Sequence, residues 1–319
     1  MLRHIKWIWV VALFLAVSMA AIWLILYQEP VILADRVIEA ETALEIPVMS
    51  HDGASPLRFA IGTMLTPKST FRHYARLAHV LSQSLHRPVR VIQRAGYENT
   101  NQLLRDGEAD LAFLCSGAYA DLSARTRLYL LAAPSFHGKP VYWSEVIVPK
   151  SAATQKLDDL KNISRLRIAY TDPLSNTGYL VVRAMLGDAH ISAEPPAADV
   201  IWTGSHEESV HLVASGLADV AGVDVLVLEA MVSADPELKQ QVRTIIRSPD
   251  FASPPLVATA NLPNDARNQV TTALLRLHET PDGRELLSGM GIEGFVAVDD
   301  AAYEPVRKLL ETVKEAPNE

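Results

Sequence analysis

From Leu57 onward the chain alternates between two hydrophobic periods. Leu57-Arg58-Phe59-Ala60-Ile61-Gly62 reads as a strand and stops at a glycine. Phe71, Tyr74, Leu77, Ala78, Leu81 and Leu85 then recur every three or four positions, which predicts a helix with one apolar face. Val89–Ile92 predicts a second strand, 99–105 a helix, and 109–114 a short strand entered at Asp110. The pattern continues with strands at 144–148, 167–170, 200–203 and 220–223, and helices at 157–160, 178–186 and 207–214. After a strand at 254–258 come helices at 266–279, 283–290 and 303–313. Strands alternating with helices predict an α/β protein whose parallel sheets are covered on both faces. No 20–50-residue repeat stands out by eye.

The first 56 residues carry a different pattern. Arg3 and Lys6 precede an uncharged apolar run from Trp7 to Tyr27. About 20 such residues cross a hydrocarbon core, and a signal peptide's apolar stretch is shorter, about 7–15 residues. Two bases before the run and Glu29 after it place the N-terminus in the cytoplasm and the body outside. Residues 7–27 are therefore expected to be a transmembrane helix anchoring the chain to the inner membrane, with the body in the periplasm. Small residues at Ser18-Met19-Ala20 leave a cleaved signal as the alternative for residues 1–27. Pro30, Pro47, Gly53 and Pro56 interrupt residues 28–56, which predicts a tether.

Composition narrows the function. The 319 residues are 49% hydrophobic and 21% charged, enough for a core in one large domain or two lobes. A net charge of −8 excludes nucleic acid as a natural partner, because phosphate backbones demand basic surfaces. The single cysteine, Cys115, excludes intramolecular disulfides and multi-cysteine metal sites.

Candidate chemistry gathers in loops that follow strands, where ligands of α/β sheets sit. Ser175, Asn176 and Thr177 stand together at a helix start, where free N–H groups and the dipole favour anions. One of them would suffice as an N-cap. Ser205 and Glu208 form a capping-box pattern that leaves His206 unexplained, as a surface residue or as a donor into a cleft. Cys115 and Ser116 end a strand at a Ser-Gly turn, where a lone cysteine usually serves as a small hydrophobe. Asp224 ends another strand, free to accept from a ligand or to close a turn.

In that order these loops resemble the periplasmic phosphate/phosphonate/phosphite-binding proteins of ABC importers. The matching stretches are Asp172-Pro173-Leu174-Ser175-Asn176-Thr177-Gly178-Tyr179-Leu180, Gly204-Ser205-His206, Val223-Asp224, Tyr142-Trp143-Ser144 and Pro254-Pro255-Leu256. The resemblance runs over roughly 57–313. It implies a type II periplasmic-binding-protein fold: two α/β lobes joined by hinge strands that close over a small oxyanion. Lobe 1 would combine 57–145 with 249–319, and lobe 2 would be 146–248. The resemblance further implies that Ser175, Asn176, Thr177 and His206 grip the oxyanion, with Asp224, Tyr142 and Ser116 nearby. No cofactor and no catalysis are expected.

The departures from the family pattern point further. Cys115 stands where the family usually has glycine, and no lipobox cysteine is present. A thiol in an oxyanion pocket suits arsenite, which is thiophilic and neutral near pH 7. A thiolate would replace one arsenic hydroxyl, and a nearby helix N-terminus or protonated histidine would lower the thiol pKa. The lone cysteine at this position resembles the arsenite-sensing branch of the same family, which implies a membrane sensor kinase as partner, so arsenite held on Cys115 and reported to it by lobe closure is the leading expectation. Capture of phosphonate, phosphite or phosphate for an ABC permease is the alternative. Less favoured are a cysteine enzyme using Cys115 and His206, which would need the pair within hydrogen-bond reach, and an interaction domain without a ligand.

Overall fold

The computed structural model describes residues 55–62, 67–193 and 198–315, with side chains throughout except at 67–73. The anchor at 7–27 and nearly all of the tether lie outside the described residues. Among the described residues no helix is long and apolar enough to cross a membrane.

The body opens with β1 (Leu57–Ile61), α1 (Pro67–Leu85), β2 (Val89–Gln93), α2 (Tyr97–Arg105), β3 (Leu111–Phe113), α3 (Ser116–Ser123) and β4 (Leu128–Ser135). A second run comprises β5 (Val141–Tyr142), β6 (Ser144–Pro149), β7 (Leu166–Tyr170), α4 (Val181–Asp188), β8 (Ala198–Trp202), α5 (His206–Ala214), β9 (Val220–Asp224), α6 (Val225–Ala234) and β10 (Val242–Arg247). The chain then returns through β11 (Phe251–Ala252), β12 (Leu256–Thr259), α7 (Asn264–Leu275), α8 (Pro281–Gly289), β13 (Gly294–Val296) and α9 (Glu304–Glu315).

Two sheets result, ordered β13-β4-β12-β3-β1-β2 and β10-β6-β9-β7-β8. The short antiparallel pair β5 and β11 lies where the chain passes between them. The sheets are mixed, which corrects the parallel expectation. β12 runs antiparallel to β3 and β4, and β6 runs antiparallel to β9 and β10, because each strand enters a sheet from the opposite lobe. The central strands are buried on both faces, as near-continuous apolar runs require. Phe59 and Ala60, Ile168 and Ala169, and Val220 and Ala221 are all inaccessible.

The same five-element unit builds both sheets. In the first, Arg58 Nη2 reaches Asp110 Oδ1 at 2.7 Å and the Arg58 N–H donates to Asp110 Oδ2 at 2.8 Å. In the second, Arg167 and Asp219 repeat both bonds at 2.5 and 2.9 Å. The final helix α9 packs across the seam, its Val306 and Leu310 buried with Ala120 of α3 and with Leu180 and Val181 beside α4. Lys314 Nζ lies 3.0 Å from the buried carboxylate of Asp121.

Candidate functional site

Each lobe aims two helix starts at the seam. Tyr97 opens α2 and Cys115 caps α3 on one side; His206 opens α5 and Asp224 caps α6 on the other. Gly96 supplies the left-handed turn before α2, with φ of 78°. The stretch Asn176–Leu180 is one π turn running into α4, a distortion common at binding sites. Ser175 Oγ caps it by accepting from the Gly178 N–H at 3.0 Å.

Across the seam the two lobes touch. The backbone N–H of Tyr97 donates to Asp172 Oδ2 at 3.0 Å. Gly117 approaches so closely that a Cβ there would stand 2.3 Å from the carbonyl oxygen of Leu174. Asn176 Nδ2 donates to the phenolic oxygen of Tyr142 on the hinge strand at 3.2 Å. Ser116 Oγ donates to the carbonyl of Ala252, the other hinge strand, at 2.7 Å.

All eight residues singled out by sequence are buried, and the structure brings them to this seam. Hydrogen bonding at the seam is incomplete. Asn176 Oδ1 and Tyr97 Oη are buried with no partner, a state that costs about 1–3 kcal/mol per group unless a ligand completes it. Tyr142 Oη can accept or donate, so the Asn176 amide can turn over and present its NH2 instead.

Electrostatics revise two expectations. Burial pushes the Cys115 thiol above its ordinary value, only partly offset by the Asn176 and Gly117 N–H groups aimed at sulfur. The thiolate is thus disfavoured despite the helix start, because desolvation outweighs the two N–H contacts. Burial pushes His206 down to about 3, so the ring is neutral and supplies no protonated histidine to the thiol. The Asp224 N–H lies 3.3 Å from its Nδ1, with Thr171 Oγ1 at the same distance, and its Nε2 lies 3.5 Å from Thr177 Oγ1. His206 is also no surface residue: it is 1% exposed. Asp224 is pushed by burial up to about 7, although the Leu226 and Val227 N–H groups hold its carboxylate.

Sequence reasoning missed Tyr97 and Asp172 as members of the site. Burial raises both, with Cys115, Asp172, Tyr142 and Asp224 all close enough to act on the Tyr97 phenol. Tyr97, like His206, is the first residue of a helix that its cap leaves unexplained. Among the described residues no group of three or more His, Cys, Asp or Glu could hold a metal ion.

Known proteins share this fold. The "ABC transporter, phosphonate, periplasmic substrate-binding protein" family matches residues 59–303. The phosphonates-binding periplasmic protein of Escherichia coli K12 is 28% identical over 174 residues, 54% of this chain and 51% of that protein. The match therefore spans about half the length of that curated relative. A binding-protein component of an ABC phosphonate transporter from Pseudomonas aeruginosa superposes with a TM-score of 0.75 at 23% identity, covering 82% of this chain and 90% of that one. PhnD1 from Prochlorococcus marinus, solved with methylphosphonate, superposes with a TM-score of 0.74 at 17% identity, covering 81% and 98%. Both likenesses establish the mixed α/β, type II periplasmic-binding-protein fold. With its two-lobed body matched across 59–303, this chain belongs to the phosphonate periplasmic substrate-binding family of ABC transporters.

Proposed function

We propose that the chain captures a phosphonate between its lobes in the periplasm and delivers it to an ABC permease. The observation that carries this reading is the pair of unpartnered buried atoms, Asn176 Oδ1 and Tyr97 Oη, at a seam where two helix starts converge from each lobe. Thr177, Tyr142 and the neutral His206 ring add uncharged hydrogen-bonding groups, which suit an anion that must be desolvated without a salt bridge. Asp224 in its protonated form is a further donor. Relatives of this family are substrate-binding proteins, so turnover forms no part of the reading. Ligand bridging the lobes shifts an open–closed equilibrium toward the form a permease recognises.

A second reading keeps the thiol. Cys115 sulfur lies at the same seam, facing the Asn176 N–H. Arsenite would exchange one hydroxyl for it, forming As–S and releasing water with the thiol proton, and a membrane sensor kinase would replace the permease. The raised thiol pKa counts against this reading and the family match favours the first. Calorimetric titration of the full chain with methylphosphonate, phosphite, phosphate and arsenite, before and after Cys115→Ser, separates them. Phosphonate binding indifferent to the substitution supports the first reading. Binding of arsenite alone, lost with the thiol, overturns it.

A further inference from the structure

Beside the oxyanion seam lies a cavity of about 80 Å³ whose walls come from both lobes. Tyr74, Phe113, Pro134 and Met290 contribute from the first lobe, and Leu226 and Asp224 from the second. It shares Asp224 with the proposed site, where the Asp224 N–H meets His206, and Phe113 ends the strand that leads to Cys115. Tyr74 and Phe113 pack ring against ring at 5.2 Å and form its floor. A water molecule takes about 30 Å³ in the liquid, so the space holds only a few heavy atoms.

We infer that this cavity receives the organic substituent of the ligand, and that the substituent is short and uncharged. The inference rests on the phosphonate reading above. An ammonium group would bring three N–H donors to walls whose polar side-chain groups are the Asp224 carboxyl and the Tyr74 hydroxyl, the rest being aromatic and aliphatic. That carboxylate is already engaged, since Asp224 Oδ1 accepts the Leu226 N–H at 2.8 Å and the Val227 N–H also points at it. Donors left unmet in such a place cost more than the contacts made there return. An alkyl group meets no such cost, and each methylene it buries draws the two lobes together. Because the walls belong to both lobes, the substituent reports on closure directly.

The test is titration of the full chain at neutral pH with phosphite, methylphosphonate, ethylphosphonate and 2-aminoethylphosphonate. The expected order is ethyl above methyl above phosphite. Each added carbon tightens Kd about four-fold, the factor that corresponds to ~0.8 kcal/mol per buried CH2. The aminoethyl ligand should bind more weakly than the ethyl one. Ala230→Leu, at the rim of the same cavity, should lower the ratio of ethylphosphonate to phosphite affinity at least ten-fold. Tightest binding of the aminoethyl ligand, lost on Asp224→Asn, would overturn the inference and make the cavity a cation site. Equal affinity for all four would overturn it by leaving the cavity unused. If phosphite and every phosphonate fail to bind, the phosphonate reading falls and this inference with it.

Discussion

Asp224 and His206 share a hydrogen bond and carry opposite pH signatures. His206 folds at about 3 against ~6.5 unfolded, so the unfolded chain binds its proton first and this group adds stability as pH rises through that range. Asp224 folds at about 7 against ~3.9 unfolded, so the folded protein holds the extra proton and stability falls as pH rises from ~4 toward 7. Between pH ~4 and ~6.5 the two slopes oppose one another. Asp224→Asn keeps an oxygen able to cap α6 and removes only the acid's slope. The stability of the variant relative to the parent should therefore climb with pH by at most ~1.4 kcal/mol per unit from pH ~4 to ~7, then level off. Urea denaturation across that range reads it, and a flat difference would mean that Asp224 is solvated. Cys115 belongs at this scale too. A thiol with raised pKa, 1% exposed, should react with iodoacetamide far more slowly than a free thiol at pH 7.5, and faster in urea.

At the level of elements, the residues that face the seam come in equivalent pairs. Tyr97 and His206 open the helices after the second strand of each unit, and Cys115 and Asp224 cap the helices after the third. The sequence made the second-lobe members legible, because Ser175-Asn176-Thr177 and Gly204-Ser205-His206 have more polar residues than a cap requires. Tyr97 stayed hidden because an aromatic at a helix start also reads as core. Among elements, the helix at 116–123 was illegible: its buried face is Ala118, Tyr119 and Leu122 around small residues, with no apolar stripe to give a period. Strand β4 (Leu128–Ser135) and strand β10 (Val242–Arg247) are half-buried at their outer ends, and charged or loop-like neighbours blurred them. The antiparallel pairings were illegible for a different reason, since strand direction depends on where the chain crosses between lobes and not on local pattern. Gly117 shows what the pairing of elements demands. Ala in its place would put a methyl group against the Leu174 carbonyl, so Gly117→Ala should hold the lobes apart and weaken phosphonate binding at least ten-fold, with little effect on thermal stability. Calorimetry and thermal melts of the one variant separate the two effects.

At the level of the whole body, closure sets affinity, and the direct bonds across the seam are few. The Tyr97 N–H to Asp172 bond joins the lobes across the seam, while α9 spans both lobes along α3 and α4. A bond to a buried carboxylate is worth about 1.5–3 kcal/mol. A ligand that must bring the lobes together gains that bond only in the closed form, so its loss appears in binding, while Asp172→Ala also removes the bond from the Leu174 N–H to Asp172 Oδ1 within one lobe. Asp172→Ala should therefore raise the Kd for methylphosphonate by about ten-fold or more. Small-angle scattering gives the matching structural readout. The parent should contract on saturation with methylphosphonate, and Asp172→Ala should need a higher ligand concentration for the same contraction. Gly117→Ala should not contract at all. Contraction of all three at one concentration would mean that the lobes close without these contacts, and the gain in affinity would then have to come from the oxyanion seam and its neighbouring cavity alone.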